Sequence, residues 1–270
     1  MVTHANTRKS FSSALNSASP ATVEEAALRS YGSGLPIGIA QDGSPLNLAS
    51  FNKRACLGIT GRVGAGKTVV VGSAMETMQR LGFEVLHCRY SASGYNQFQT
   101  NRTFNGVGAS ATESATEYVA DLVTGRTNAK TGTFYPVALV IDQYDKLAAE
   151  IEDTTKWLRF VTNLEEIASR GINCNVSLVL ASQEFPERLL PGQSHEFFDQ
   201  TITMGARGAD SPFASDSAAG VGAYTTHDST TWFRSYVPSG APNDKSVAPL
   251  YEPLKMTLSR RLPTDGLKPD

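Results

Sequence analysis

The octapeptide Gly61-Arg62-Val63-Gly64-Ala65-Gly66-Lys67-Thr68 matches the pattern GxxxxGK[ST] in full and constrains the fold more than any other stretch of the chain. Glycines at these spacings let the backbone curl until successive N–H groups point at one anion. A helix that begins at the loop adds the positive end of its dipole. Both flanks agree with this. Ala55–Thr60 is a short apolar run that predicts a strand, and Val70, Val71, Ala74, Met75 and Met78 recur at helical spacing over Thr68–Leu81. A loop of this kind binds phosphate through Gly61 to Thr68 and the following Val69, with Lys67 reaching the β- and γ-phosphates and the Thr68 hydroxyl on Mg2+. The plainer alternative is a glycine turn that carries a surface lysine.

The rest of the chain alternates strand and helix signals. Val137–Ile141 is a continuous apolar run, as a parallel strand buried on both faces requires, and Val176–Ala181 predicts another buried strand. Phe83–Cys88 and Thr201–Met204 predict further strands, and Tyr224–Val237 carries strand-like residues. Helices are expected over Val23–Tyr31, Ala115–Val123 and the amphipathic Lys156–Ala168. This order predicts a doubly wound, mostly parallel α/β sheet flanked by helices. Ile37–Ala40 and Leu46–Leu48, around Asp42-Gly43, predict a short N-terminal hairpin ahead of the main domain. Ser91–Gly108 and Gly205–Gly222 read as long loops. The expected organisation is a disordered tail over 1–20, one α/β domain over 21–258, and a loose tail over 259–270.

Composition excludes several classes. The chain has 270 residues, 40% apolar and 19% charged, which suits one large domain. A net charge of −2 gives no global basic field for nucleic acid and leaves only a local basic patch. Cys56, Cys88 and Cys174 are too few and too widely spaced for a disulfide framework or a zinc site. They read as buried core thiols in a reducing cytoplasm. No apolar run approaches the roughly 18 residues of a membrane helix. Met1–Pro20 lacks the apolar core of a secretory signal, so the expected location is cytoplasmic.

Asp142 ends the apolar run Val137–Ile141, where a carboxylate can hold the water shell of Mg2+. The alternative is an ordinary strand-ending Asp. P-loop ATPases of the additional-strand class usually carry Glu at the next position, to polarise the attacking water. Here that position is Gln143, whose amide can orient water but cannot accept its proton. Either hydrolysis is slow or absent, or another acid acts. Asp145 is the nearest, with Glu150 and Glu152 as weaker candidates, and a solvated helix-start acid is the plain reading of Asp145. Gln183 follows the run Val176–Ala181, where motors of this class place a polar contact to the γ-phosphate or the water.

Taken together, these residues resemble the FtsK/SpoIIIE branch of the FtsK–HerA superfamily of DNA-translocating ATPases. Leu35-Pro36-Ile37-Gly38-Ile39 with Asp42-Gly43 and Leu46-Asn47-Leu48 is similar to the family's lead-in hairpin. Tyr118–Arg126 resembles the helix before the magnesium strand, and Asp142-Gln143-Tyr144-Asp145-Lys146-Leu147 the DE--DL segment with Gln for Glu. Ser169-Arg170-Gly171-Ile172 and Leu178–Gln183 resemble the GR--GIHLILATQ block, and Gly220–Tyr224 the later G-GD turn with Ala223 in place of Asp. The resemblance spans roughly Leu35 to Pro238. It implies a RecA-like P-loop fold of the additional-strand class, ATP and Mg2+ as cofactors, and a homo-oligomeric, usually hexameric, ring around double-stranded DNA. It also implies an arginine from the neighbouring subunit, for which Arg170 is the first candidate and Arg207 the second. Arg62 can also touch a neighbour or the nucleotide. The family's Asp-Pro-Lys segment after the second strand is replaced by Arg89-Tyr90-Ser91-Ala92-Ser93.

Three functions compete. The first is a ring motor that translocates or packages DNA, of the kind that serves plasmid or phage DNA transfer beside other transfer or packaging proteins. Arg89, Asn96, Gln97, Asn101 and Arg102, with Tyr90, Tyr95 and Phe98 between them, would then line a pore or contact DNA. A solvated loop is the alternative for that stretch. The second is a protein-secretion ATPase of type VII or a coupling ATPase. The third is an ATP-binding switch or assembly factor whose turnover is impaired by Gln143. A GTPase lacks its NKxD stretch here, and a metabolic kinase its lid and acceptor signals.

Overall fold

The computed structural model describes residues 35–40, 42–49, 55–80, 82–91, 103–129, 134–185, 190, 194–205 and 220–236. The expected tails, the helix at Val23–Tyr31, Arg207, and the candidate pore residues Tyr95, Asn96, Gln97, Phe98, Asn101 and Arg102 lie outside them.

The strands are β1 (Leu35–Ala40), β2 (Pro45–Leu48), β3 (Cys56–Gly61), β4 (Glu84–Arg89), β5 (Thr103–Val107), β6 (Val137–Asp142), β7 (Val176–Ala181), β8 (Gln200–Met204), β9 (Val221–Thr225) and β10 (Thr230–Ser235). The helices are α1 (Lys67–Arg80), α2 (Ala109–Asn128), α3 (Tyr144–Ala149), α4 (Thr154–Arg170) and the short α5 (Ser194–Phe197), with a 3-10 turn at Gly171–Cys174. Among the described residues these ten strands form one sheet in the order β2-β1-β10-β9-β8-β3-β7-β6-β4-β5. From β8 to β5 every neighbouring pair is parallel. The remaining four strands extend the sheet antiparallel. β7 lies between β3, which enters the glycine loop, and β6, which ends in Asp142.

The apolar runs explain why the parallel strands sit at the centre. Successive side chains leave a strand on opposite faces, so a run apolar at every position needs cover on both. Leu139 and Ile141 of β6 pack with Val119 and Val123 of α2 and Leu164 and Ile167 of α4. Ala138 and Val140 pack with Val70, Met75 and Met78 of α1 on the other face. The three cysteines are buried, as expected.

Three elements differ from the sequence reading. The expected loop Ser91–Gly108 contains β5, an edge strand paired in register with β4 from Val85↔Thr103 to Arg89↔Val107. Asn105 and Gly106 mask its period, and the β4 ladder supplies the order that propensity does not. Helix α2 runs well beyond Ala115–Val123 at both ends. Its Ser and Thr residues bond back to carbonyls one turn earlier: Thr112 to Gly108, Ser114 to Ser110, Thr116 to Thr112 and Thr127 to Val123. The hairpin β1–β2 is part of the main sheet through β1–β10 pairing. A buried network also ties it down: the Tyr224 hydroxyl donates to Gln200 Oε1 at 2.8 Å, and Gln200 Nε2 donates to the Ala49 carbonyl at 2.8 Å. The strand-like stretch from Tyr224 belongs to the β9–β10 hairpin, whose turn carries Thr226–Ser229.

Arg126 joins three layers. Its Nη1 donates to the carbonyls of Tyr135 at 2.9 Å and Cys174 at 2.8 Å, and its guanidinium lies over the rings of Phe134 and Tyr135. Removing it leaves buried carbonyls unpaired, so Arg126→Ala is expected to cost about 2–4 kcal/mol in chemical denaturation. A cost below about 0.5 kcal/mol would deny it this role.

His87 is buried, and burial, with Arg89 nearby, depresses its pKa to about 4 against the opposing pull of the Asn105 side chain. The unfolded chain therefore binds this proton more readily. Stability is complete above the ordinary value of 6.5 and falls as pH drops from there towards about 4, by about 3 kcal/mol at the limit. Urea midpoints measured across this range should fall less steeply in His87→Gln. An unchanged pH profile would assign the loss to other groups.

Candidate functional site

The C-terminal ends of the parallel strands stop in register. Gly61 pairs with Met204, Asp142 with Ala181, and Arg89 with Asp142. The chain leaves this edge of the sheet in short turns, and the candidate residues gather there.

The glycine loop between β3 and α1 needs glycine for two reasons. Gly64 and Gly66 have φ of 78° and 100°, where an L side chain is strained. A Cβ on Gly66 would also lie 2.8 Å from the Gly220 nitrogen. The loop thus packs against the chain at both ends of the expected long loop. Gly220 N donates to the Ala65 carbonyl at 3.0 Å, and Gly205 stands against Ala65. The sequence reading missed this role of Gly205 and Gly220; their place at the ends of a glycine-rich segment is the signal. Helix α1 has no acidic residue in its first turn, so its positive end is left uncompensated by side chains. Lys67 Nζ donates to the carbonyls of Gly61 and, at 3.0 Å, Arg62, which holds the ammonium across the loop. Burial lowers the Lys67 pKa, against the pull of Asp142 and Asp145. Thr68 and Val69 are half-buried in the first turn of α1, Ala65 is buried, and Arg62 and Val63 are exposed at the loop tip.

Asp142 is 7% exposed at the end of β6. Burial raises its carboxyl above the usual range, while the Gln143 N–H, Lys67 and Arg89 favour the ionised form. Gln143 N–H donates to Asp142 Oδ1 at 2.9 Å. Gln143 itself is left-handed, at φ 61° and ψ 45°, and caps α3. This costs an L residue free energy, and turns the chain sharply so that Asp142 and α3 share one corner. Asp145, in the first turn of α3, acts on both Lys67 and Asp142 and so belongs to the cluster. Glu150 and Glu152 are exposed beyond the other end of α3, and neither figures among the groups that act on those two.

Gln183 lies just past β7, and its carbonyl accepts from Gly61 N at 3.3 Å, so the end of β7 abuts the glycine loop. Its side chain is exposed. Arg170 is elsewhere: it ends α4, before the start of β7, and pairs with Glu166 at 2.9 Å. Within one chain it does not join the cluster. Arg89, read from sequence as a pore or DNA contact, is instead half-buried beside Asp142.

The arrangement fits a nucleotide's phosphates with Mg2+. The loop offers backbone donors and a lysine, and Thr68 and Asp142 offer the two oxygens such a site draws from protein. Among the described residues no cluster of three or more His, Cys, Asp or Glu could hold a metal alone. Mg2+ does not need one, since it keeps several waters and shares the nucleotide's oxygens.

The ionised Asp142 is the costly form in the folded chain. Its cost grows as pH rises through the window above the ordinary carboxylate value of 3.8. Asp142→Asn is therefore expected to raise the melting temperature at neutral pH without nucleotide, and to lose the further rise that Mg-ATPγS gives the wild type. Retention of that rise would remove Asp142 from the metal site.

No family model and no curated protein matches the chain. Solved structures do. A conjugation coupling protein, TcpA of pCW3, in monomer form with ATPγS, superposes with a TM-score of 0.60 at 16% identity, over 74% of this chain and 65% of that one. A structure described as an ATPase gives 0.62 at 14% identity, over 81% and 94%. The cytoplasmic domain of the type VII secretion ATPase EccC of Thermomonospora curvata gives 0.57 at 16%, over 87% and 31%. This chain thus spans about two thirds of the coupling protein's length and a third of the EccC domain's. Among the described residues no helix is long and apolar enough to cross a membrane. The glycine loop, the strand inserted between it and Asp142, and these likenesses agree on the fold: the chain has a RecA-like P-loop α/β fold.

Proposed function

We propose that this chain is a Mg-ATP-dependent motor core that assembles as a homo-oligomeric ring, hexameric by its resemblance, and moves double-stranded DNA in transfer or packaging. The observation that carries the nucleotide reading is the meeting of Lys67 and the glycine loop with buried Asp142 at one edge of the sheet. The DNA reading rests on the sequence blocks and on the likeness to a conjugation coupling protein. A cytoplasmic location goes with it.

The protein's own groups do the following. The loop N–H groups and the start of α1 bind and orient the phosphates. Lys67 neutralises the terminal phosphates, and Thr68 and Asp142 hold the metal, which supplies charge neutralisation at the transferred phosphoryl group. Gln143 and Gln183 orient the attacking water as amides. Asp145 takes its proton in this reading, supported by its electrostatic action on Lys67 and Asp142. Arg170, exposed on the far side of the sheet, acts only through a second subunit, as does Arg62 at the exposed loop tip.

Gln143 supports a second reading, an ATP-binding switch or assembly factor with little turnover. Steady-state hydrolysis with and without linear duplex DNA separates the two. A working motor shows DNA-stimulated turnover that Lys67→Ala abolishes and Asp145→Asn lowers by about tenfold to a thousandfold. A wild type without turnover, with turnover in Gln143→Glu, would sink the motor reading. Glu and Gln bear the same left-handed backbone strain, so this variant tests charge and not conformation.

A further inference from the structure

The residue that departs most from the resemblance is Arg89, and the nucleotide reading above gives it no role. It is the last residue of β4, in register with Asp142 on one side and Val107 on the other. Alternation along β4 places it on the face of Val85 and His87, and Val85 packs in the core that α1 covers. Arg89 therefore lies on the α1 face, one strand from Asp142. Its backbone is fixed, since its carbonyl accepts from Gly108 N at 2.9 Å. The adjacent Tyr90 is held by Lys146, whose ammonium lies 5.3 Å from the ring centroid.

The guanidinium is poorly provided for. Its Nε is buried and has no hydrogen-bond partner. It appears in no salt bridge among the described residues. Yet it is close enough to act on the Asp142 carboxyl in the same sense as Lys67. Lys67 already donates to two loop carbonyls. A half-buried cation with an orphan donor, one strand from Asp142 and at the same edge of the sheet as the phosphate loop, is provided for by an anion. A guanidinium presents a planar fork that matches phosphate oxygens, which a lysine at the same place matches only as a point charge.

We propose that Arg89 reads the terminal phosphate of the bound nucleotide from within the same chain, and so makes the site discriminate the triphosphate from the diphosphate. This rests on the Mg-nucleotide reading of the site. A purely structural cation that balances Asp142 is the competing explanation. It would affect both nucleotides alike, since both reach Lys67 and the loop.

The test is calorimetric titration of Mg-ATPγS and of Mg-ADP into the wild type, Arg89→Gln and Arg89→Lys, with circular dichroism to confirm folding. The wild type should bind Mg-ATPγS more tightly than Mg-ADP. Arg89→Gln should lose about tenfold or more in affinity for Mg-ATPγS and stay within about twofold for Mg-ADP, and Arg89→Lys should recover part of the loss. Equal weakening for both nucleotides, or none, overturns the proposal and leaves the nucleotide site intact. A wild type that binds neither nucleotide overturns the site reading and this proposal with it. If Arg89→Gln does not fold, the ATPγS-to-ADP ratio of Arg89→Lys decides, and a ratio equal to that of the wild type overturns the proposal.

Discussion

A carboxylate buried at the end of a central strand has to be compensated, and the edge of this sheet is organised around that requirement. Asp142 cannot be moved into water without breaking the pairing of β6 with β7 and β4. Its charge is instead met by the Gln143 N–H, by Lys67 across the glycine loop and by Arg89 from the next strand. The same group of charges that makes this corner costly makes it receptive to a metal and an anion. Folding free energy is spent on a local arrangement that binding can return.

The sheet makes this corner rigid. The buried strands β3, β6 and β7 need cover on both faces, and α1 on one side and α2 with α4 on the other supply it. Strands fixed in this way end at the same level, so residues far apart in sequence stand side by side. The glycine loop is held from both directions. Gln183 meets Gly61 from β7, and Gly205 and Gly220 pack on Ala65 and Gly66 from the β8–β9 side. A shift of the loop therefore has to be shared with the antiparallel half of the sheet.

Much of this was legible in the chain. The buried strands declared themselves because apolar residues at every position have no other stable place. The loop declared itself because few sequences other than a phosphate cradle place Gly, Gly, Lys and Thr at that spacing. Helix α4 was legible from its amphipathic stripe; its cap, Asp153, whose Oδ1 accepts from Lys156 N at 2.9 Å, came with the structure. Helix α2 was read short because Ser and Thr are poor helix formers in isolation; their back-bonds to carbonyls are visible only once the helix exists. Strand β5 was read as loop because Asn105 and Gly106 break its period, and its order comes from β4.

The sequence by itself determined the phosphate loop, the strand that ends in Asp142, and the replacement of a glutamate by Gln143, since each is a matter of residue type at fixed local spacing. Only the tertiary structure decided which charges share the corner. It brought Arg89 to Asp142 and left Arg170 at the far end of the sheet. The physical reason is that strand register and crossover geometry, not sequence separation, set the distances over which charges act.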